Sequence, residues 1–176
     1  TTRLMSLYPW PEYSFGNPDN GIKVRLCNYR YGHNPALAGI KHLNRLEQVM
    51  ARSEWSDTTI AEGIILDYEK NVIEGTMSNL FYIKNNTLYT PELFACGING
   101  IIRQKVITLA AELNLEVRID KISLQRLMDA DEAFMCNSII GIWPITLLGE
   151  KSLEIGEKTI RMKILLQKYS FISESQ

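Results

Sequence analysis

The chain has 176 residues, 45% of them hydrophobic and 22% charged, enough apolar side chain for one domain with its own core. Its formal net charge of −1 offers no field that would draw nucleic acid or an anionic membrane surface. Three widely spaced cysteines, Cys27, Cys96 and Cys136, argue against a disulfide framework and for a reducing compartment, and no CxxC or His-rich cluster suggests a metal.

In chain order, Arg3 to Tyr8 reads as a strand, and a Pro/Gly/Asn-rich connection leads to a second strand over Ile22 to Leu26. Leu43, Leu46, Val49, Met50 and Ala51 share a helical stripe, which predicts a helix over Leu43 to Trp55. Glu62 to Asp67 holds the apolar run of a buried strand. Asn79 to Lys84 and Thr87 to Thr90 read as a hairpin closed by Asn85-Asn86. A helical pattern runs from Gly100 to Leu113, and Leu115 to Asp120 alternates as a strand. Ser123 caps a short helix through Met128. Strands over Glu132 to Asn137 and Trp143 to Leu148 and a helix over Thr159 to Tyr169 complete the pattern. Strands with interspersed helices, but no regular βαβ alternation, indicate a mixed α/β fold. No apolar run reaches membrane-spanning length, and no secretory signal is visible.

Lys41 stands out. The sequence puts it where a small Gly-containing turn meets the predicted helix, and a helix N-terminus disfavours an ammonium. If it were also buried, its amine would be depressed in pKa and nucleophilic, as Schiff-base chemistry requires. Helix geometry turns His42 away from Lys41 by roughly 100° and returns Arg45 to its face. Glu74 precedes a turn glycine. Gly97-Ile98-Asn99-Gly100 opens a helix through two glycines, and a helix N-terminus with free N–H groups receives phosphate readily. Arg103, one turn in, reads as a helix-surface or inter-element ion pair. Cys136 has no base placed to make it a nucleophile.

The string Asn34-Pro35-Ala36-Leu37-Ala38-Gly39-Ile40-Lys41-His42-Leu43-Asn44-Arg45-Leu46-Glu47-Gln48 resembles the cofactor-lysine segment of the fold-type IV pyridoxal-phosphate enzymes, the class-IV aminotransferase family. Three further strings carry the same resemblance. They are Val72-Ile73-Glu74-Gly75-Thr76-Met77-Ser78-Asn79-Leu80-Phe81, Gly97 to Gln104, and Met135 to Ile145. The likeness covers nearly the whole chain. It implies a distorted β-barrel core with helices outside, and it implies that residues 1–176 correspond to the larger, C-terminal domain, without the small N-terminal one.

The resemblance also implies roles. Lys41 carries pyridoxal 5′-phosphate and acts as the catalytic base, and Glu74 pairs with the pyridine nitrogen. Ile98 packs on the ring. The amides of Ile101, Ile102 and Ile139 and the Ser138 hydroxyl bind phosphate. Asn137 contacts a substrate carboxylate, and Asn79 organises its turn. No metal is implied.

Within the family, the Lys-His-Leu-Asn-Arg-Leu-Glu-Gln string, Asn137 and the apolar Ile102 point to the aminodeoxychorismate lyase branch of folate biosynthesis. So does the lack of an acidic residue near Gly141. The alternative is a branched-chain or D-amino acid aminotransferase with the same lysine, glutamate and phosphate cup. A non-enzymatic scaffold is disfavoured by intact Lys41 and Glu74. Either enzyme implies a small-molecule substrate, a cytoplasmic homodimer, and no nucleic-acid or membrane partner.

Overall fold

The computed structural model describes residues 2–9, 11–13 and 18–169. A 3₁₀ turn, Pro18–Asn20, enters strand β1 (Ile22–Tyr31), which extends well past the expected Leu26 because its pairing with one neighbour continues to Tyr31. Its partners are β2 (Ile60–Asp67) and β9 (Gly141–Leu148), both parallel to it. The chain passes from β1 to β2 through α1 (Leu46–Arg52), as a parallel pair requires. β3 (Asn71–Gly75), which the sequence pattern did not single out, runs antiparallel to β2.

The hairpin of β4 (Asn79–Lys84) and β5 (Thr87–Pro91) forms as expected. Asn85 and Asn86 both take positive φ, 48° and 63°, as a tight primed turn demands. α2 (Ile101–Leu109) and a 3₁₀ turn (Ala110–Leu113) then cross over to β6 (Glu116–Asp120), parallel to β5. Short β7 (Ile122–Ser123) leads into α3 (Leu124–Met128), whose Ser123 cap accepts a hydrogen bond from the Arg126 amide at 3.3 Å. β8 (Glu132–Asn137), β9, β10 (Lys151–Ser152) and α4 (Glu157–Tyr169) complete the chain.

The sheet order is β6-β5-β4-β8-β9-β1-β2-β3-β7, with β10 on β9. β3 also packs against β4 and β5, so the sheet curls back on itself into the nearly closed, barrel-like core that was expected. The interior holds Ile64, Leu66, Leu80, Tyr82, Met135 and Trp143. α2 and α4 close one outer face over Phe81, Leu88, Phe134 and Cys136 with Ile102, Val106, Met162 and Leu166. α1 and the segment after it close another, with Ala51 and Trp55 over Cys27 and Tyr31.

Two expectations fail. Residues 2–9 form no strand, and Leu4, Met5, Leu7 and Tyr8 are almost wholly exposed. Apolar alternation makes a strand only where a neighbouring strand accepts its hydrogen bonds. The first helix begins at Leu46, not Leu43. Leu43 is fully exposed and adds nothing to the stripe. Arg45 has non-helical backbone angles, and its Nε donates back to the His42 carbonyl at 2.9 Å, which holds the chain outside the helix. Lys41 is therefore in irregular chain, five residues before the helix (46 − 41), and is exposed. The argument from a helix terminus and burial does not apply to it, nor does the helical relation to His42 and Arg45.

Candidate active site

Glu74 is the centre of the site. It lies on β3, is 2% exposed, and receives donors from three separate elements. Tyr31 of β1 donates its hydroxyl to Oε1 at 3.2 Å. Asn79 at the head of β4 donates to Oε2 at 3.2 Å, and the Ile98 amide donates to the same oxygen at 2.9 Å. Burial raises the carboxyl to about 7; the Ile98 amide, the Tyr31 hydroxyl and the nearby positive charge of Arg45 oppose that rise.

The loop before α2 is locked onto this carboxylate. Asn79 also donates to the Ile98 carbonyl at 2.7 Å, so one side chain ties Glu74 to the loop. Gly97 turns with φ of +87°, where a Cβ would meet Leu93 and Ile73 at 2.7 and 2.8 Å. A Cβ on Gly100 would meet the Asn79 Oδ1 at 2.3 Å. Gly39 pairs with the same loop, donating to the Gly97 carbonyl at 2.8 Å and accepting from the Asn99 amide at 3.1 Å. This bridge carries the segment leading to Lys41 alongside Glu74. α2 begins at Ile101 with Gly100 as its cap and no capping side chain, so its first N–H groups have no partner within the helix.

A cleft of about 430 Å³ opens onto this arrangement. Lys41, Glu74, Ile98, Ile101, Ile102, Asn137, Ser138 and Ile139 all line it. Every residue picked out by the sequence strings is thus brought to one cavity from four separate segments. Tyr13, Met77, Ser78 and Asn99 join them; Tyr13 meets the Trp143 ring edge-on at 4.7 Å.

Two details differ from a simple cup. The Asn137 carboxamide is committed to its own turn: Oδ1 accepts from the Ile139 and Ile140 amides at 2.8 and 2.9 Å, and Nδ2 donates to the Met77 carbonyl at 2.9 Å. The Ile139 amide expected to face phosphate is therefore engaged by Asn137. Among the described residues Arg103 makes no ion pair either. It is 5% exposed and donates to Asn99 Oδ1 at 2.8 Å, the Pro91 carbonyl at 2.9 Å and Thr90 Oγ1 at 3.3 Å, binding α2 to β5. Cys136 is fully buried with its thiol pushed up to about 12, which leaves it unreactive, as expected.

Sequence reasoning missed Glu62. On β2 and 1% exposed, it accepts from the Gly63, Thr76 and Met77 amides at 2.9, 3.0 and 3.2 Å and from the Ser78 hydroxyl at 2.6 Å; the Thr76 hydroxyl donates to it as well. It holds the turn between β3 and β4 that presents Met77, Ser78 and Asn79 to the cleft. A lone carboxylate heading the run Gly63-Ile64-Ile65-Leu66 was the available signal, since a buried charge must be paired or hydrogen-bonded.

Comparison with known proteins places the sequence and the fold in a family. The aminodeoxychorismate lyase of Vibrio harveyi is 37% identical over 142 residues, 81% of this chain and 52% of that protein. The branched-chain-amino-acid aminotransferase of Escherichia coli K12 is 35% identical over 160 residues, 89% of this chain and 51% of that protein. The crystal structure of the 4-amino-4-deoxychorismate lyase from Pseudomonas aeruginosa superposes with a TM-score of 0.88 at 40% identity, covering 93% of this chain and 60% of that one. The chain spans about half the length of the curated relatives it matches. The profile described as amino-transferase class IV matches residues 2–148, and the chain belongs to that family.

Proposed function

We propose that this chain is the larger, cofactor-binding part of a pyridoxal-phosphate lyase. The enzyme converts 4-amino-4-deoxychorismate to 4-aminobenzoate and pyruvate, a step of folate biosynthesis. The observation that carries this is the convergence of Lys41, Glu74, the α2 N-terminus and the Ser138 turn on one cleft. The residues fit the cofactor: a carboxylate ringed by donors suits a ring nitrogen, and a helix start with a glycine cap suits phosphate. When bound, pyridoxal phosphate supplies an aldehyde for an amine and a ring that withdraws electrons from the carbon bearing the substrate nitrogen.

The protein supplies the rest. Glu74 would accept a hydrogen bond from the ring nitrogen and hold its proton there. Ile98 would pack on the ring, and the Ile101 and Ile102 amides with the Ser138 hydroxyl would hold phosphate. The Ile139 amide would join them once it exchanges Asn137 Oδ1 for a phosphate oxygen. Lys41 would hold the aldehyde. Once released, its Nζ would take the proton from the substrate carbon bearing nitrogen. The carbon–oxygen bond to the enolpyruvyl group then breaks, the six-membered ring becomes aromatic, and Lys41 returns the proton to the enolpyruvyl methylene, giving pyruvate.

The lyase is favoured over an aminotransferase by the apolar Ile102 and the lack of an acidic residue near Gly141, beside the likeness to the Pseudomonas lyase. The substrate is a small molecule. A homodimer and a cytoplasmic setting follow from the family resemblance; among the described residues no helix is long and apolar enough to cross a membrane.

Borohydride reduction of the cofactor-loaded protein, followed by peptide mapping, is expected to place the adduct on Lys41; an adduct on Lys23 or Lys84 would overturn the site. Given aminodeoxychorismate without a keto acid, the intact protein is expected to release pyruvate and 4-aminobenzoate. Rapid glutamate formation from an amino acid and 2-oxoglutarate, with no 4-aminobenzoate, would identify the aminotransferase instead.

A further inference from the structure

Tyr31, whose hydroxyl donates to Glu74, also lines a second, polar cavity of about 70 Å³, together with His42, Arg45 and Gln48. Three buried polar atoms of these side chains have no hydrogen-bond partner among the described residues: His42 Nδ1, Arg45 Nη2 and Gln48 Oε1. Unsatisfied buried groups are costly, and a cavity of this size and polarity is suited to an ordered water.

The hydrogen bonds leading away from this cavity have one direction. Gln48 Nε2 donates to the Tyr31 hydroxyl at 2.7 Å, and that hydroxyl donates to Glu74 Oε1 at 3.2 Å. Gln48 lines the cavity, spends an N–H on Tyr31, and leaves its buried Oε1 in need of a donor. Arg45 offers one, with its guanidinium fixed by the bond from Nε to the His42 carbonyl. A water accepting from Arg45 Nη2 and donating to Gln48 Oε1 completes the line. Every member then donates toward Glu74, which favours the carboxylate over the carboxylic acid.

We propose that Arg45 is a positioning residue, acting on Glu74 through an ordered water, Gln48 and Tyr31. This rests on Glu74 being the partner of a ring nitrogen, and it gives a distant cation a part in keeping that partner an acceptor. The charged and titratable groups around Glu74 do not supply this otherwise. Glu62, on the adjacent strand, opposes the anion, whereas Arg45 favours it. The Cys96 thiol is pushed up to about 12 and is neutral. Arg103 is committed to Asn99, Thr90 and Pro91, and Lys41 lies on the open side of the cleft.

The test uses two readouts on the intact protein. Carbon-13 carboxyl labelling, with Glu74 assigned from the Glu74→Gln variant, follows the titration of Glu74 without cofactor. Nitrogen-15-labelled pyridoxal phosphate follows the ring nitrogen when bound. Arg45→Met is expected to raise the Glu74 midpoint by about one pH unit. Gln48→Leu, which breaks the relay and leaves the charge, is expected to move it in the same direction, and in both variants the ring nitrogen loses its proton at lower pH. An unchanged Glu74 midpoint in Arg45→Met would overturn the proposal. A shift in Arg45→Met but none in Gln48→Leu would also overturn it, since the charge would then act through space alone. If Arg45→Met does not fold, Gln48→Leu decides the question by itself. Should Glu74→Gln leave the ring-nitrogen signal as in the parent, the assignment of Glu74 itself fails, a result distinct from failure of the relay.

Discussion

Glu62 and Glu74 lie on neighbouring antiparallel strands and are almost equally buried, at 1% and 2% exposure. Their surroundings differ in origin. Apart from the adjacent Gly63 amide, the donors to Glu62 come from one short turn, Thr76 to Ser78, and they saturate both oxygens. The donors to Glu74 come from β1, β4 and the loop before α2, and the residue still lines the cleft. Burial does not distinguish a carboxylate that shapes a backbone from one that meets a ligand. The sources of its hydrogen bonds, and whether one side stays open, do.

Exchanging the carboxylates for amides sets the two apart. Glu74→Gln is expected to keep the fold and cofactor binding while turnover falls on the order of 10³-fold, since a neutral amide cannot hold the ring nitrogen protonated. Steady-state kinetics on the loaded enzyme checks this, and a near-parental rate would remove Glu74 from the chemistry.

Stability against pH sharpens the contrast. The ordinary value for Glu74 is 4.5, and in the folded protein it is raised to about 7. Between those values the folded state keeps a proton that the unfolded chain has released. The contribution of Glu74 to stability is therefore complete below about pH 4.5, declines as pH rises, and levels off above about 7 after a loss of about 3 kcal/mol. Urea unfolding of the cofactor-free protein across this range should show the decline, and Glu74→Gln should flatten it. Parallel curves for the two proteins would mean that Glu74 titrates like an ordinary carboxylate.

Glu62→Gln is expected to act on the fold first. It strands donors of the Thr76–Ser78 turn and costs about 2–3 kcal/mol in urea unfolding. Activity lost at saturating cofactor without lost stability would contradict a turn-holding role.

Asn137→Ala, the smallest effect, removes the acceptor of the Ile139 and Ile140 amides and the tie to Met77. It should weaken cofactor affinity about tenfold, about 1.4 kcal/mol, by loosening the turn that carries Ser138. A rise in substrate KM with unchanged cofactor affinity would place Asn137 on the substrate alone.

The sequence by itself determined the local elements whose signals lie within a few residues: the Asn85-Asn86 hairpin, the Ser123 cap, the apolar run of β2 and the stripe of α2. The eight residues that the family resemblance drew from the four strings all line the cleft, because those strings are contiguous; Tyr13, also in its lining, lies outside them. What the sequence could not determine depends on partners far along the chain. Residues 3–8 have strand-like alternation but find no strand to pair with, and Leu43 fits the helical period yet faces solvent. Arg103 reads as a helix-surface or inter-element ion pair and is instead a buried side chain whose hydrogen bonds to Thr90 and Pro91 join α2 to β5. The roles of Glu62, Tyr31 and Gln48 arise only when strands β1, β2 and β3 align in register. A hydrogen bond between residues 43 positions apart, as between Tyr31 and Glu74, leaves no local trace in the sequence.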